Sequence, residues 1–358
     1  MTSITVVVVT YESETHIDGC LGALAADLLS PTFEVLVVDN ASTDRSVEIA
    51  DGWAQRDSRF RVLCSGTNRG YAGGVNLALP MIGSDLFAVL NPDCRVRPGW
   101  LGPLIAALGE CPEAAVVNPL ILLSGDPSQV NSAGQNIHVT GLGFNRLLGH
   151  PAKGVSPDVV SVPGLHGAAF VIRRRCLEEV GGWDESGFLY HEDVALSWLM
   201  RLRGYDILCA PSSIVEHDYV LSMTAGKFQL LEANRWRCLA THLKPLTAAL
   251  LSPALMVTEA LLWAYALLKG RGFLRAKFLA CKSVWNDWRR IEGARRASST
   301  LRRRGDYAVL ANFRWQYDWD QLVSLGAENP GRPRRAWKDV ARRGQALPAI
   351  GVDRSGRN

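Results

Sequence analysis

Acidic residues in this 358-residue chain stand where hydrophobic runs stop. Asp39 closes EVLVVD, and Asp93 follows DLFAVLN across a rigid proline. Glu192 and Asp193 open the amphipathic segment EDVALSWLMRLRG, and His217 ends SIVEH. Carboxylates accept hydrogen bonds and protons, and with imidazole they suit divalent cations. Each position alone has a plainer reading. Carboxylates in the first turn of a helix complement its macrodipole, the strand-end acids fit turns or caps, and a lone histidine after a strand is more often structural. Polar groups at three successive strand ends weaken that plain reading.

Short β-branched runs predict buried strands at 4–9, 34–38, 59–65 and 85–91. Helical periodicity over 14–29 is closed by Ser30-Pro31, Ser42 or Thr43 can cap a second helix, and VNLALPMI (75–82) predicts a third. Strands and helices alternating at this spacing predict a doubly wound, mostly parallel sheet flanked by helices. Ligands of such sheets bind beyond the carboxyl ends of the strands. Those ends carry Thr10-Tyr11-Glu12, Asp39-Asn40 and Asn91-Pro92-Asp93. From about 120 to 165 the chain is rich in Gly, Ser, Asn and Pro, which predicts an irregular lobe or lid. A strand over 168–174, a helix over 192–204 and the segments YDILCAP and SIVEHD finish the domain near residue 218.

Hydrophobic content of 47% against 21% charged residues describes a chain that folds. The start MTSITVVVVTYES lacks a basic region and a cleavage site, so it is expected to be a first strand and not a signal peptide. The eight cysteines include no CxxC pair, which suits reduced thiols better than a disulfide framework or a zinc site. The net charge of +4 conceals a basic stretch from Arg271 to Arg304. Such a stretch calls for an anionic partner.

The segments VVVVTYES, VVDNASTD, NRGYAGGVN, LNPDC, GAAFVIRR, VGGWDESGFLYHEDVALSWLMRLRG and VEHD, in this order, resemble the family 2 nucleotide-sugar glycosyltransferases. The resemblance covers about residues 3–220 and is nearest the bacterial rhamnosyltransferase-like branch. It implies a GT-A fold and an inverting transfer from a nucleoside diphosphate sugar (dTDP-, UDP- or GDP-linked) to a hydroxyl of a lipid-linked glycan in cell-surface polysaccharide synthesis. It implies that Asp39 accepts a hydrogen bond from the base, with Thr10, Tyr11, Glu12 and Asn40 lining the same pocket. Asn68, Gly70, Gly73 and Asn76 would close its floor, where glycine permits close backbone approach. Asn91 replaces the first acid of the family's Asp-x-Asp motif, leaving Asp93 to ligate Mg2+ or Mn2+, with His217 completing the site. Asp193 aligns with the catalytic base, Glu192 being the alternative, and Gly167, Trp183, Asp184 and His191 would shape the acceptor pocket. Rival readings are a nucleotidyltransferase of similar fold and a catalytically inactive membrane-bound scaffold.

The expected organisation is a catalytic domain over 1–220, with a nucleotide-sugar half to about 118 and an acceptor half from 119. A helical extension over 221–304 and a Trp- and Arg-rich tail over 305–358, with Trp315, Trp319 and Trp337, follow. Residues 247–268 form an apolar run long enough to span a bilayer, but Pro253 and Glu259 interrupt it. With the basic, aromatic segment after it, the run predicts a peripheral or monotopic helical layer on an anionic membrane surface at the cytoplasmic face. A buried hairpin and a true span are the alternatives. No nucleic-acid module accompanies the basic stretch, so nucleic acid is not an expected partner.

Overall fold

Strands without polar alternation must be covered on both faces, and the first part of the chain is built that way. The computed structural model describes residues 4–219 and 222–324. Elements β1 (Ile4–Thr10), α1 (Ile17–Ala26), β2 (Phe33–Asp39), α2 (Ser46–Arg56), β3 (Phe60–Cys64), α3 (Gly70–Ala78) and β4 (Leu86–Leu90) alternate strictly. The four strands lie parallel in the order β4-β1-β2-β3, with Val6, Val7 and Val8 fully buried between helical layers. Thr10 pairs with Asp39 in register, so the polar ends of β1 and β2 are level.

The second part crosses back. It adds β5 (Cys94–Val96), α4 (Leu101–Glu110), β6 (Ala114–Leu123), β7 (Asp126–Ser132), β8 (Gln135–Ile137), β9 (Gly143–Asn145), β10 (Val160–Ser161), β11 (Ala169–Arg173), α5 (Arg174–Glu179), α6 (Glu192–Arg203) and β12 (Asp206–His217). Strand β11 enters antiparallel between β4 and β6, with Ala169 opposite Leu90. Strand β12 runs parallel to β6, shifts register between Ala210 and Ile214, and closes antiparallel on β5. The last step pairs His217 with Cys94 and thereby brings His217 beside Asp93.

Two expectations need correction. The 120–165 segment contributes strands and core and is no mere lid: β6 and β7 pair, β8 and β9 form a hairpin, and residues 130–141 are all buried. Its polar residues misled because they are used inside the fold and not in surface turns. The third helix begins at Gly70 and not at Val75, so most of NRGYAGGVN is helix.

Helices α7 (Ala225–His242), α8 (Pro245–Leu250), α9 (Ser252–Lys269), α10 (Arg271–Asn286), α11 (Trp288–Leu301), α12 (Asp306–Leu310) and α13 (Trp319–Ser324) follow. Pro253 in the first turn of α9 divides the apolar run between α8 and α9, and among the described residues no helix is long and apolar enough to cross a membrane. One core cluster joins Ile137, Val194 and Trp198 to Leu239, Leu243 and Phe313, so the sequence boundary near 220 does not divide the packing. Trp337 lies outside the described residues.

The charge of Glu259 is turned inward. Glu232, Arg235, Glu259 and Lys277 form an interior quartet, with Arg235 Nη2 3.0 Å from Glu232 and Lys277 Nζ 2.9 Å from Glu259. Lys277 also pairs with Glu232, and Arg235 with Glu259. Lys277 is fully buried, so it is not one of the lipid-facing cations that the basic stretch suggests. Breaking a buried pair leaves a charge without compensation, at about 3–5 kcal/mol. Glu232→Gln is therefore expected to destabilise the protein by about that amount. Urea denaturation with an unchanged midpoint would show that the quartet adds nothing.

Candidate active site

The strand ends gather buried polar atoms that the fold does not satisfy. Thr10 Oγ1, Asp39 Oδ1, Asn40 Oδ1, Asn91 Oδ1, Asp93 Oδ1 and Glu192 Oε2 have no hydrogen-bond partner among the described residues. Buried polar groups are normally paired, and these stand where a doubly wound sheet binds ligands. Asp39 Oδ2 accepts from Ser42 N at 3.0 Å, which fixes the carboxylate and leaves Oδ1 to accept from a ligand. Asn40 Nδ2 donates to Gly70 O at 2.8 Å.

Several expected pocket residues are spent elsewhere. Glu12 Oε1 accepts from Thr43 N and Oγ1, which braces the loop after β2. Tyr11, beside it, is half-buried. Asn68 Oδ1 accepts from Gly70 N in the turn that starts α3. Asn76 donates to Trp183 O and accepts from Trp183 N, a two-way clasp that commits its amide. A Cβ on Gly70, at φ +71°, would lie 2.0 Å from Phe188 O, and one on Gly73 would lie 2.6 Å from Arg69 Cβ. The 68–76 segment thus seats the loop before α6 and also meets Asn40 at the end of β2.

Asp93 and His217 meet across the turn after β4. Nε2 of His217 is 3.3 Å from Asp93 Oδ1, and its Nδ1 donates to Asn131 Oδ1 at 2.8 Å. Burial works against charge on Asp93, but His217 and the more distant His16 outweigh it and hold its pKa below the ordinary value. Asp93, His217 and Cys94 offer ligand atoms within 4.8 Å of one another. The thiol of Cys94 is buried, donates towards Ala168 O, and is held protonated by desolvation. An oxygen and a nitrogen donor remain, a set that fits a hard or borderline divalent cation whose other ligands come from a phosphate chain.

Glu192 and Asp193 occupy the first turn of α6. Gln135 Nε2 donates to Asp193 Oδ2 at 2.6 Å, and Gly167 N approaches the same oxygen at 3.3 Å. Burial raises the pKa of both acids, and mutual repulsion lifts Glu192 further. A carboxylate so raised is suited to taking a proton. Tyr71 donates to Gly167 O and, with Trp183, packs between the two acidic centres.

The remaining acceptor-side expectations divide. Gly167 reaches Asp193 directly, and Asp184 is exposed. Trp183 and His191 are buried: Trp183 Nε1 donates to Glu192 O, and His191 Nε2 donates to Gly141 O. Both brace the start of α6. Gln135 and Asn131, which orient Asp193 and His217, were not singled out from sequence. Their only signal is a pair of amides among Val130, Ile137 and Val139.

The family model described as Glycosyl transferase family 2 matches residues 5–181. An N-acetylglucosaminyl-diphospho-decaprenol L-rhamnosyltransferase of Mycobacterium tuberculosis is 31% identical over 234 residues, covering 59% of this chain and 75% of that protein. The low-salt glycan biosynthesis hexosyltransferase Agl10 of Haloferax volcanii is 24% identical over 57% of this chain and 63% of that protein. The crystal structure of GalNAc-T7 with UDP, GalNAc and Mn2+ aligns at a TM-score of 0.54 and 16% identity, over 67% of this chain and 48% of that one. That likeness shows the fold, which is GT-A.

Glu192 offers a test of the electrostatics. Its folded pKa lies above the unfolded value, so the native state binds more protons and loses stability as pH rises from about 4 through the raised pKa. Glu192→Gln removes that loss. The melting temperature of the variant should gain on wild type steadily from pH 4 upward and then level off. A constant difference across that range would mean that the Glu192 pKa is not raised.

Proposed function

The chain belongs to glycosyl transferase family 2 and is a glycosyltransferase, and from that premise we propose that it moves a hexose, L-rhamnose before others, from a nucleoside diphosphate to a hydroxyl of a lipid-linked glycan. The observation that carries this reading is the set of unsatisfied polar atoms of Thr10, Asp39, Asn40 and Asn91 at the ends of β1, β2 and β4. The name of the M. tuberculosis relative favours L-rhamnose as the sugar and a diphosphopolyprenyl N-acetylglucosamine acceptor.

Asp39 Oδ1 takes a hydrogen bond from the pyrimidine ring, with Thr10 and Asn40 beside it. Asp93 and His217 hold Mg2+ or Mn2+. Such an ion supplies positive charge where the diphosphate departs. Asp193 receives the proton of the acceptor hydroxyl as that oxygen bonds to the anomeric carbon, and the electron pair of the broken bond leaves with the diphosphate. Attack from the far side inverts the anomeric centre. Burial raises both acids and repulsion by Asp193 lifts Glu192 further, which favours Asp193 as the member that takes the proton.

Residues 1–220 form the catalytic unit in this reading, the donor bound by the half before 119 and the acceptor by the half after it. The layer over 221–304 docks on the cytoplasmic face of the membrane. Leu250, Met256, Leu267, Leu268, Phe278 and Trp285 are exposed on α8, α9 and α10, and Arg275, Lys282, Arg289 and Arg290 stand exposed on α10 and α11. Apolar and basic groups together are what an interfacial layer requires. The tail over 305–358 has no role in this reading.

Asp193→Asn should bind the donor as wild type does and lose about 10²–10⁴-fold in turnover. Normal turnover in that variant beside a dead Glu192→Gln would move the base to Glu192. Asp93→Asn should weaken binding of the nucleoside diphosphate in Mn2+, and full turnover by dialysed enzyme in EDTA would exclude a metal role. For the membrane, neutralising Arg275, Lys282, Arg289 and Arg290 should remove about 1 kcal/mol each of attraction to phosphatidylglycerol vesicles. Wild-type protein that fails to float with those vesicles at low salt would rule the docking layer out.

A further inference from the structure

The loop that delivers Glu192 and Asp193 is held in an unfavourable shape. Phe188, Tyr190 and His191 have φ of 60°, 68° and 71°, in the left-handed region that L side chains rarely adopt. Such a loop needs external restraint to keep one conformation. Part of the restraint comes from α3, where Tyr71 N donates to Phe188 O at 3.2 Å. A second restraint, on three carbonyls of the loop backbone, comes from one side chain of the helical extension.

Nδ2 of Asn234, on α7, lies 2.9 Å from Gly187 O, 3.1 Å from Leu189 O and 2.8 Å from Tyr190 O. Two N–H protons are thus shared among three carbonyls of the strained loop. The amide cannot turn round, because Arg237 Nη1 donates to Asn234 Oδ1 at 2.6 Å. Arg237 is itself held by Nε donation to Asp287 Oδ2 at 2.9 Å. Space is matched as closely: a Cβ on Gly187 would come within 3.0 Å of Asn234 Nδ2. One residue along α7, Arg235 donates to Thr140 O at 3.1 Å, next to the Gly141 carbonyl that anchors His191.

We propose that Asn234 is a positioning residue for the Glu192–Asp193 pair, so that the helical extension completes the acceptor side of the active site. The inference rests on the glycosyltransferase reading above. Asn234 touches no substrate. It acts through the 187–190 backbone, and a misplacement of about 1 Å in a reacting group is enough to cost about 10²-fold in rate.

Asn234→Asp separates positioning from bulk stability. The side chain keeps its shape and its Arg237 partner, but an acceptor oxygen replaces the donor that faces three carbonyls. With dTDP-L-rhamnose and a synthetic polyprenyl-diphospho-N-acetylglucosamine, kcat is expected to fall about 100-fold with donor KM changed less than about twofold. Amide hydrogen exchange over 187–193 should rise about tenfold while the sheet keeps its protection. Asn234→Ala should show the same pattern, and it carries the test if the Asp variant does not fold. A kcat within twofold of wild type, or a loss shared equally between kcat and donor KM with exchange raised across the whole domain, would overturn the proposal. If wild type transfers no sugar from this donor, the substrate reading fails. The exchange at 187–193 then still decides whether Asn234 holds the loop.

Discussion

Where β11 enters the sheet antiparallel, the backbone at Gly167 and Ala168 works in two directions. Asn91 N donates to Ala168 O at 2.8 Å, which ties down the turn that ends in Asp93. Gly167 N faces Asp193 Oδ2, and Gly167 O accepts from Tyr71. A parallel strand at this position would start at the opposite edge of the sheet and present its last residues to the cleft. Antiparallel entry puts the start of β11 between the two acidic centres, so one short backbone segment sets their separation. The remaining geometry follows from neighbours of that joint. The register of β12 on β5 brings in His217, and the β8–β9 hairpin brings in Gln135.

The cost of the arrangement is carried by the loops. Glu12, Ala41, Phe188, Tyr190 and His191 are non-glycine residues at positive φ, and all lie just after β1, just after β2 or just before α6. Strain gathered there fits a site whose carbonyls and carboxylates must point one way before a ligand arrives. Hydrogen bonds hold each loop in place: Ser42 Oγ accepts from Glu12 N, and Asn76 and Asn234 fasten the 183–190 stretch from its two sides. Those amides are part of the site's construction although they touch none of its chemistry.

Much of this could be read from the sequence because buried parallel strands advertise themselves. The runs ITVVVV, EVLVV and DLFAVL have no alternation, so their elements and polar ends were legible, and with them the positions of Asp39 and Asp93. The acceptor half was not. Its strands carry Asn131, Ser132, Gln135 and Asn136, polar residues that are buried and used internally, and composition alone gives them the look of a loop. The glycines of NRGYAGGVN were visible, but not their partner, since Phe188 is far along the chain. Lys277 was misplaced for a related reason. Counting charge along a helix does not show which cations are spent on interior acids.

That last point changes how the extension is understood. An apolar cluster under α6 and the Asn234 amide on the 187–190 loop tie it to the rest of the chain, and a buried ion quartet ties its own helices α7, α9 and α10 to one another. The quartet lies between the helix that grips the loop and the helices that carry the exposed apolar side chains. Buried charges of this sort tolerate little sliding, because any shift leaves one of them without a partner in low dielectric. Helices α7, α9 and α10 therefore move as a unit or not at all. Whatever fixes the outer face of α9 and α10 also fixes the position of Asn234, and through it the loop that leads into Asp193.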